Sequence, residues 1–151
     1  MKLICDFSFV NNYAKNFFSN EDRASATIIN SSIAPHLKGE PILVISYQTI
    51  GELYKIYGDR WLMLETVFDL CEKSEISISD GKENLIKMAA IYEIEDEDTY
   101  VLADDDYIIK EINKTTHKAV SIKKALELLE SKGMLSKISH PTVKSENSNK
   151  R

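Results

Sequence analysis

Carboxylates stand directly after two aliphatic runs of this 151-residue chain: Asp6 follows Leu3-Ile4-Cys5, and Asp104-Asp105-Asp106 follows Val101-Leu102-Ala103. If both runs are strands of one parallel sheet, their acids emerge at the same edge. In open α/β sheets, ligands bind beyond the carboxyl ends of the strands, where strand order reverses. Carboxylates crowded together repel, and a bound divalent cation or a retained proton relieves that repulsion. Oxygen donors without a Cys or His cluster suit Mg²⁺ or Mn²⁺ better than zinc. Each acid also has a structural use. Asp6 can open a turn through Phe7 and Ser8, and one of Asp104, Asp105 and Asp106 can cap a helix through Ile108, Ile109 and Ile112. Three caps are not needed, so at least one acid is spare.

Other acids have stronger local explanations. Thr49-x-x-Glu52 fits a capping box, in which each side chain satisfies the other's backbone donor. Glu83 falls at the start of a helical pattern, where an acid complements the helix dipole. Asp80, in Ser79-Asp80-Gly81, is an ordinary turn or cap residue. His36, His117 and His140 fall in expected loops without evident partners. Cys5 and Cys71 sit in apolar surroundings and read as small buried hydrophobes. No Gly-rich phosphate loop and no Ser–His or Cys–His arrangement is present.

These residues must be positioned by a fold. Five runs rich in β-branched and aliphatic residues read as strands: Lys2–Asp6, Pro41–Ser46, Glu75–Ser79, Thr99–Ala103 and Lys118–Ser121. Several are apolar throughout, as suits strands covered on both faces. Between them, helical stripes recur at Ile50, Leu53, Tyr54 and Tyr57, at Leu85, Met88, Ala89 and Tyr92, and at Ile122, Ala125, Leu126 and Leu129. Trp61 to Cys71 reads as another helix, with Trp61, Leu64 and Phe68 on one face, and Tyr13–Phe18 and Arg23–Ser32 have helical character. Ser121 is placed to cap the last helix and Gly133 to end it. Strands alternating with helices imply βαβ crossovers and a mostly parallel sheet of about five strands in a three-layer α/β/α fold.

Residues 1–138 read as one domain, and residues 139–151 as a polar, disordered tail. At 43% hydrophobic and 28% charged, the composition excludes a wholly disordered chain. The apolar runs are too short to span a bilayer, and no secretory pattern opens the chain, so a cytoplasmic location is expected. The net charge of −5 hides an asymmetry. Residues 1–106 carry 9 Lys/Arg against 20 Asp/Glu, a balance of −11, and residues 107–151 carry 10 against 4, a balance of +6. An acidic body suited to cations thus adjoins a basic third suited to phosphates, although lysines also decorate ordinary solvated helices.

The order of these pieces resembles the PIN-domain nucleases. Asp6-Phe7-Ser8 resembles the family's opening Asp-x-Ser. The stretch from Ile42 to Leu53, a strand ending in Ser46 and leading into a helix that carries Glu52, is similar to its second motif. Glu83 to Ala90 looks like the third, and Val101-Leu102-Ala103-Asp104-Asp105 the fourth. The closing Ser121–Leu135 helix resembles that of toxin-type members from toxin–antitoxin pairs. The likeness covers roughly residues 1–135. It departs where the third acid is Glu83, or a displaced Asp80, in place of Asp, and where Ala103 replaces Thr or Ser. What the resemblance implies is a Mg²⁺- or Mn²⁺-dependent endoribonuclease that cleaves single-stranded or structured RNA with metal-activated water. Asp6 would be the central ligand beside Asp105, which spacing favours over Asp104, with Glu52 and Glu83 completing the catalytic site and Ser8 supporting a ligand carboxylate. Lys110, Lys114, Lys123 and Lys124 would grip the RNA backbone. A homodimer and an antitoxin-like protein inhibitor are further implied. Two other expectations compete: a catalytically silent PIN-like module that binds protein or RNA, and a phosphoryl-accepting receiver domain. The latter normally pairs acids at its first strand, which this chain does not.

Overall fold

In a computed structural model, residues 1–19, 21–76 and 81–135 are described, apart from the side chain of Trp61. The expected tail and Asp80 lie outside these residues. The order is β1 (Lys2–Cys5), α1 (Phe7–Ser19), α2 (Ala24–Ser31), α3 (Ile33–Leu37), β2 (Leu43–Ser46), α4 (Tyr47–Tyr57), a 3₁₀ turn (Gly58–Arg60), α5 (Trp61–Phe68), β3 (Glu72–Ser74), α6 (Lys82–Glu95), β4 (Thr99–Leu102), α7 (Asp106–Asn113), β5 (Ala119–Val120) and α8 (Ile122–Ser131). The five strands form one sheet in the order β3-β2-β1-β4-β5. Every pairing is parallel, with Leu3 opposite Leu43 and Cys5 opposite Leu102.

Side-chain alternation along the strands builds the three layers, because successive residues point to opposite faces of a sheet. Leu3, Cys5, Leu43 and Ile45 face one core, covered by Phe9 and Val10 of α1, Leu53 of α4, Leu64 of α5 and Ala125 of α8. Ile4, Val44 and Val101 face the other core, filled by Leu85, Met88 and Ala89 of α6 and Ile112 of α7. Strands buried on both faces explain why their sequences are aliphatic throughout. Among the described residues, no helix is long and apolar enough to cross a membrane.

Three expectations need correction. The third strand pairs as Glu72–Ser74; of the expected Glu75–Ser79, Glu75 and Ile76 follow it outside the sheet and the rest lies outside the described residues. As an edge strand it tolerates charged residues, and Glu72 is anchored by Lys2 Nζ at 3.1 Å and Tyr92 Oη at 2.7 Å. Tyr54 leaves the expected apolar stripe and is 57% exposed, while Thr49 takes a buried place beside Leu53. His117 has a partner, since its Nδ1 lies 3.0 Å from Glu93 Oε1. The cysteines are buried and unbridged, and burial pushes the Cys71 thiol up to about 12, which keeps it protonated and inert. Gly133 takes φ 68° and ends α8, as its position predicted.

The Glu72 contacts give a pH signature. Burial alone would raise this carboxyl, but hydrogen bonds from Tyr92 and Lys2, with the Lys2 charge, hold it below its ordinary 4.5. A carboxylate with a folded pKa below its unfolded value adds stability that is present above the unfolded pKa and lost as pH falls through the folded one. The melting temperature should therefore fall as the pH drops below about 4.5, and Glu72→Gln should make that fall shallower. Parallel melting curves for the two proteins across this range would remove Glu72 from the account.

Candidate functional site

The strand order reverses at β1: β2 and β3 lie on one side of it, and the chain then crosses to β4 on the other. The carboxyl ends of β1 and β4 flank this switch point, where ligands enter open α/β sheets. Asp6 and Asp104 stand there. The Asp6 N–H donates to Leu102 O at 2.9 Å, which ties the two strand ends together.

Local chemistry fixes both acids. Asp6 begins α1, and its Oδ2 accepts the Ser8 N–H at 3.2 Å and the Ser8 Oγ–H at 2.5 Å. The Ser8 hydroxyl in turn accepts the Asp104 N–H at 2.8 Å. One serine thereby joins segments 96 residues apart in sequence. Asn12, one helical turn beyond Ser8, donates from Nδ2 to Asp104 Oδ2 at 2.9 Å. Asn16, one turn further, donates to Asn12 Oδ1 at 3.0 Å. Residues four apart lie on one helix face, so Ser8, Asn12 and Asn16 form a polar ridge running away from the acids. Asn12 and Asn16 are site residues that the sequence reading did not single out. Their four-residue spacing from Ser8 was the available signal.

The remaining acids take other places. Asp105 is the N-cap of α7, and its Oδ1 accepts from Tyr107 N–H at 2.9 Å and Ile108 N–H at 3.3 Å. Of the adjacent pair, Asp104 is therefore the residue tied to Asp6. Asp106 is exposed in the first turn of α7. Glu83 is exposed in the first turn of α6. Glu52 is exposed and pairs with Lys55 Nζ at 3.2 Å. Among the described residues, no group of three or more His, Cys, Asp or Glu side chains could hold a metal ion. Ala103 is completely buried, so the position before Asp104 is a packing position in this chain.

The Thr49–Glu52 capping box is not formed. Ser46, extended at the end of β2, caps α4 by accepting the Gln48 N–H and also donates to Ile76 O at 2.7 Å. The helix thus starts before Thr49, whose hydroxyl is buried without a partner. Glu52→Gln should accordingly change stability by no more than the roughly 0.2–0.5 kcal/mol of a helical ion pair. A thermal melt together with a cleavage assay checks this. A large loss of cleavage at unchanged melting temperature would assign Glu52 to the chemistry instead.

The basic third divides similarly. Lys114 pairs with Glu111 at 2.7 Å and Lys124 with Glu127 at 3.6 Å, whereas Lys110 and Lys123 are exposed with no ion pair to a described residue. A cavity of about 910 Å³ opens at the opposite, amino edge of the sheet, among Lys2, Pro41, Glu72 and Asp96. It is remote from the acid pair. Compared with protein-family models, curated proteins and solved structures, the chain matches none of them.

Proposed function

We propose that this chain is a metal-dependent endoribonuclease of PIN-like type, which cleaves RNA phosphodiester bonds at the Asp6–Asp104 pair. The observation that supports it most is the Ser8 hydroxyl, which bonds Asp6 and the Asp104 backbone together at the switch point of the sheet. Such a bridge aligns two acids that would otherwise repel.

The donor set suits the ion. Mg²⁺ keeps several waters and takes one or two protein carboxylates together with substrate phosphate oxygens, so a pair of acids suffices. Asp6 and Asp104 would hold it, and when bound it would supply a water nucleophile at neutral pH and offset developing phosphate charge. The chain's own residues do the positioning. Ser8 fixes the Asp6 carboxylate and holds the Asp104 backbone, and Asn12 orients Asp104 through Oδ2. Lys110 and Lys123 would contact the strand's phosphates, which makes binding salt-dependent. A cytoplasmic location belongs to the same proposal, as do the homodimer and the antitoxin-like inhibitor, which rest on the family resemblance.

A silent PIN-like interaction module is the second reading. It is favoured by the lack of a three-acid group among the described residues. Titrating Mn²⁺ or Mg²⁺ against the purified protein and its Asp6→Asn variant, with labelled RNA present, separates the two. Saturable metal binding and cleavage, both lost in the variant, support the nuclease. Intact RNA at every metal concentration supports the silent module.

A further inference from the structure

A smaller cavity of about 280 Å³ opens at the far end of α1, where Asn16, Phe17, Asp22, Arg23, Ser25 and Asn30 are among its walls. Asn16 joins it to the acid pair, because the same side chain starts the hydrogen-bond line through Asn12 to Asp104. At about 1.5 Å per residue, α1 separates Phe17 from Asp6 by about 16 Å. At about 30 Å³ per water, the cavity has room for roughly nine waters, comparable to one small planar ring system.

Its chemistry is specific. Phe17 is braced by Tyr13 at 6.0 Å and by Phe18 at 5.3 Å, edge to face, yet stays 40% exposed, which leaves ring surface open for stacking. Ser25 is completely buried, and its hydroxyl has no hydrogen-bond partner. Native proteins seldom leave such a group unsatisfied without a reason. The rim carries both signs, with Arg23 beside Asp22, whose Oδ1 accepts the Ala24 N–H at 3.0 Å. A carboxylate at the rim disfavours a phosphate group. A neutral ring with its own donors and acceptors suits the amides of Asn16 and Asn30, the Ser25 hydroxyl and the open face of Phe17. Unpaired RNA bases are recognised in this way, by aromatic stacking together with hydrogen bonds to their edges.

We infer that this cavity is a base-binding subsite that receives one unpaired nucleobase of the strand cut at Asp6 and Asp104. For its ligand the inference rests on the nuclease reading, but its test does not require cleavage. The test measures fluorescence anisotropy of a labelled single-stranded RNA in EDTA, against an abasic strand of the same length, for wild type, Phe17→Ala and Ser25→Ala. Phe17→Ala should weaken RNA binding about tenfold, the usual effect of losing one stacked base. Ser25→Ala should weaken it severalfold while the melting temperature stays level or rises, because an unsatisfied buried hydroxyl has been removed. The abasic strand should bind all three proteins weakly and alike. Equal binding of RNA and abasic strand by wild type overturns the subsite, as does unchanged RNA affinity in both variants. Displacement of the RNA by polyglutamate as readily as by unlabelled RNA also overturns it, since charge alone would then explain binding. Metal-dependent cleavage by wild type with unaltered binding in the variants removes the subsite and leaves the nuclease. The expected binding pattern without cleavage in any divalent metal does the reverse.

Discussion

Asp6→Asn should remove divalent-metal-dependent RNA cleavage almost completely, while the variant melts close to wild type. The two halves of this result come from different atoms of one side chain. As a helix cap, Asp6 needs only an oxygen to accept the Ser8 N–H, and Asn caps about as well as Asp. As the proposed metal ligand it would need its charge, which Asn lacks. Loss of a ligand to an ion that supplies several kcal/mol of transition-state stabilisation lowers the rate by about a hundredfold or more. Asp104→Asn should behave in the same way, since Asn12 can still bond to the amide oxygen. The measurement is single-turnover cleavage of a labelled RNA in Mn²⁺, with thermal melts of both variants. Normal rates in both would dissolve the assignment of the site. A rate loss with Asp105→Asn instead would move it to the α7 cap.

Phe9→Ala should give the largest loss of stability among single changes near the site. Phe9 is 1% exposed and packs in the core between α1 and the sheet. Truncating a buried Phe to Ala costs about 3–5 kcal/mol, through lost burial and the cavity left behind. For a chain of this size that lowers the melting temperature by about 6–20 °C. α1 also carries Ser8 and Asn12, so loosening it should misalign Asp104 and reduce cleavage below the melting point. Denaturant unfolding followed by circular dichroism measures the first effect. A midpoint within error of wild type would mean that α1 is held mainly by other contacts.

Much of the architecture was legible because both faces of the sheet are covered. Leu3-Ile4-Cys5 and Leu43-Val44-Ile45 are apolar without alternation, the pattern that burial on both faces imposes. The α6 stripe Leu85, Met88, Ala89 and Tyr92 is buried as its spacing predicted. The third strand lies earlier than expected because the β-branched residues beyond it carry the stronger strand propensity, whereas the edge position lets Glu72 and Lys73 do the pairing. The site was half legible. Strand ends pointed to Asp6 and to the Asp104–Asp106 cluster, but spacing favoured Asp105, and only the cap geometry shows that Asp105 is engaged at α7 while Asp104 is joined to Ser8. Asn12 and Asn16 did not stand out, because the start of α1 could not be read from Phe7-Ser8-Phe9, and without a helical frame their spacing from Ser8 had no meaning. The Thr49–Glu52 pattern misled for a related reason. A motif that fits a cap cannot reveal that Ser46, three residues earlier, already serves as one.

β1 and β4 are interior strands, each paired on both sides. The acids are therefore mounted on the part of the fold that has the most backbone bonds to lose before it moves, while the outer helices and the edge strands can open first. The strand ends that carry Asp6 and Asp104 should keep their spacing through such openings for as long as α1, which carries Ser8 and Asn12, stays docked. The thermal ceiling of any activity would then be set by the release of α1 and not by fraying of the edge strands.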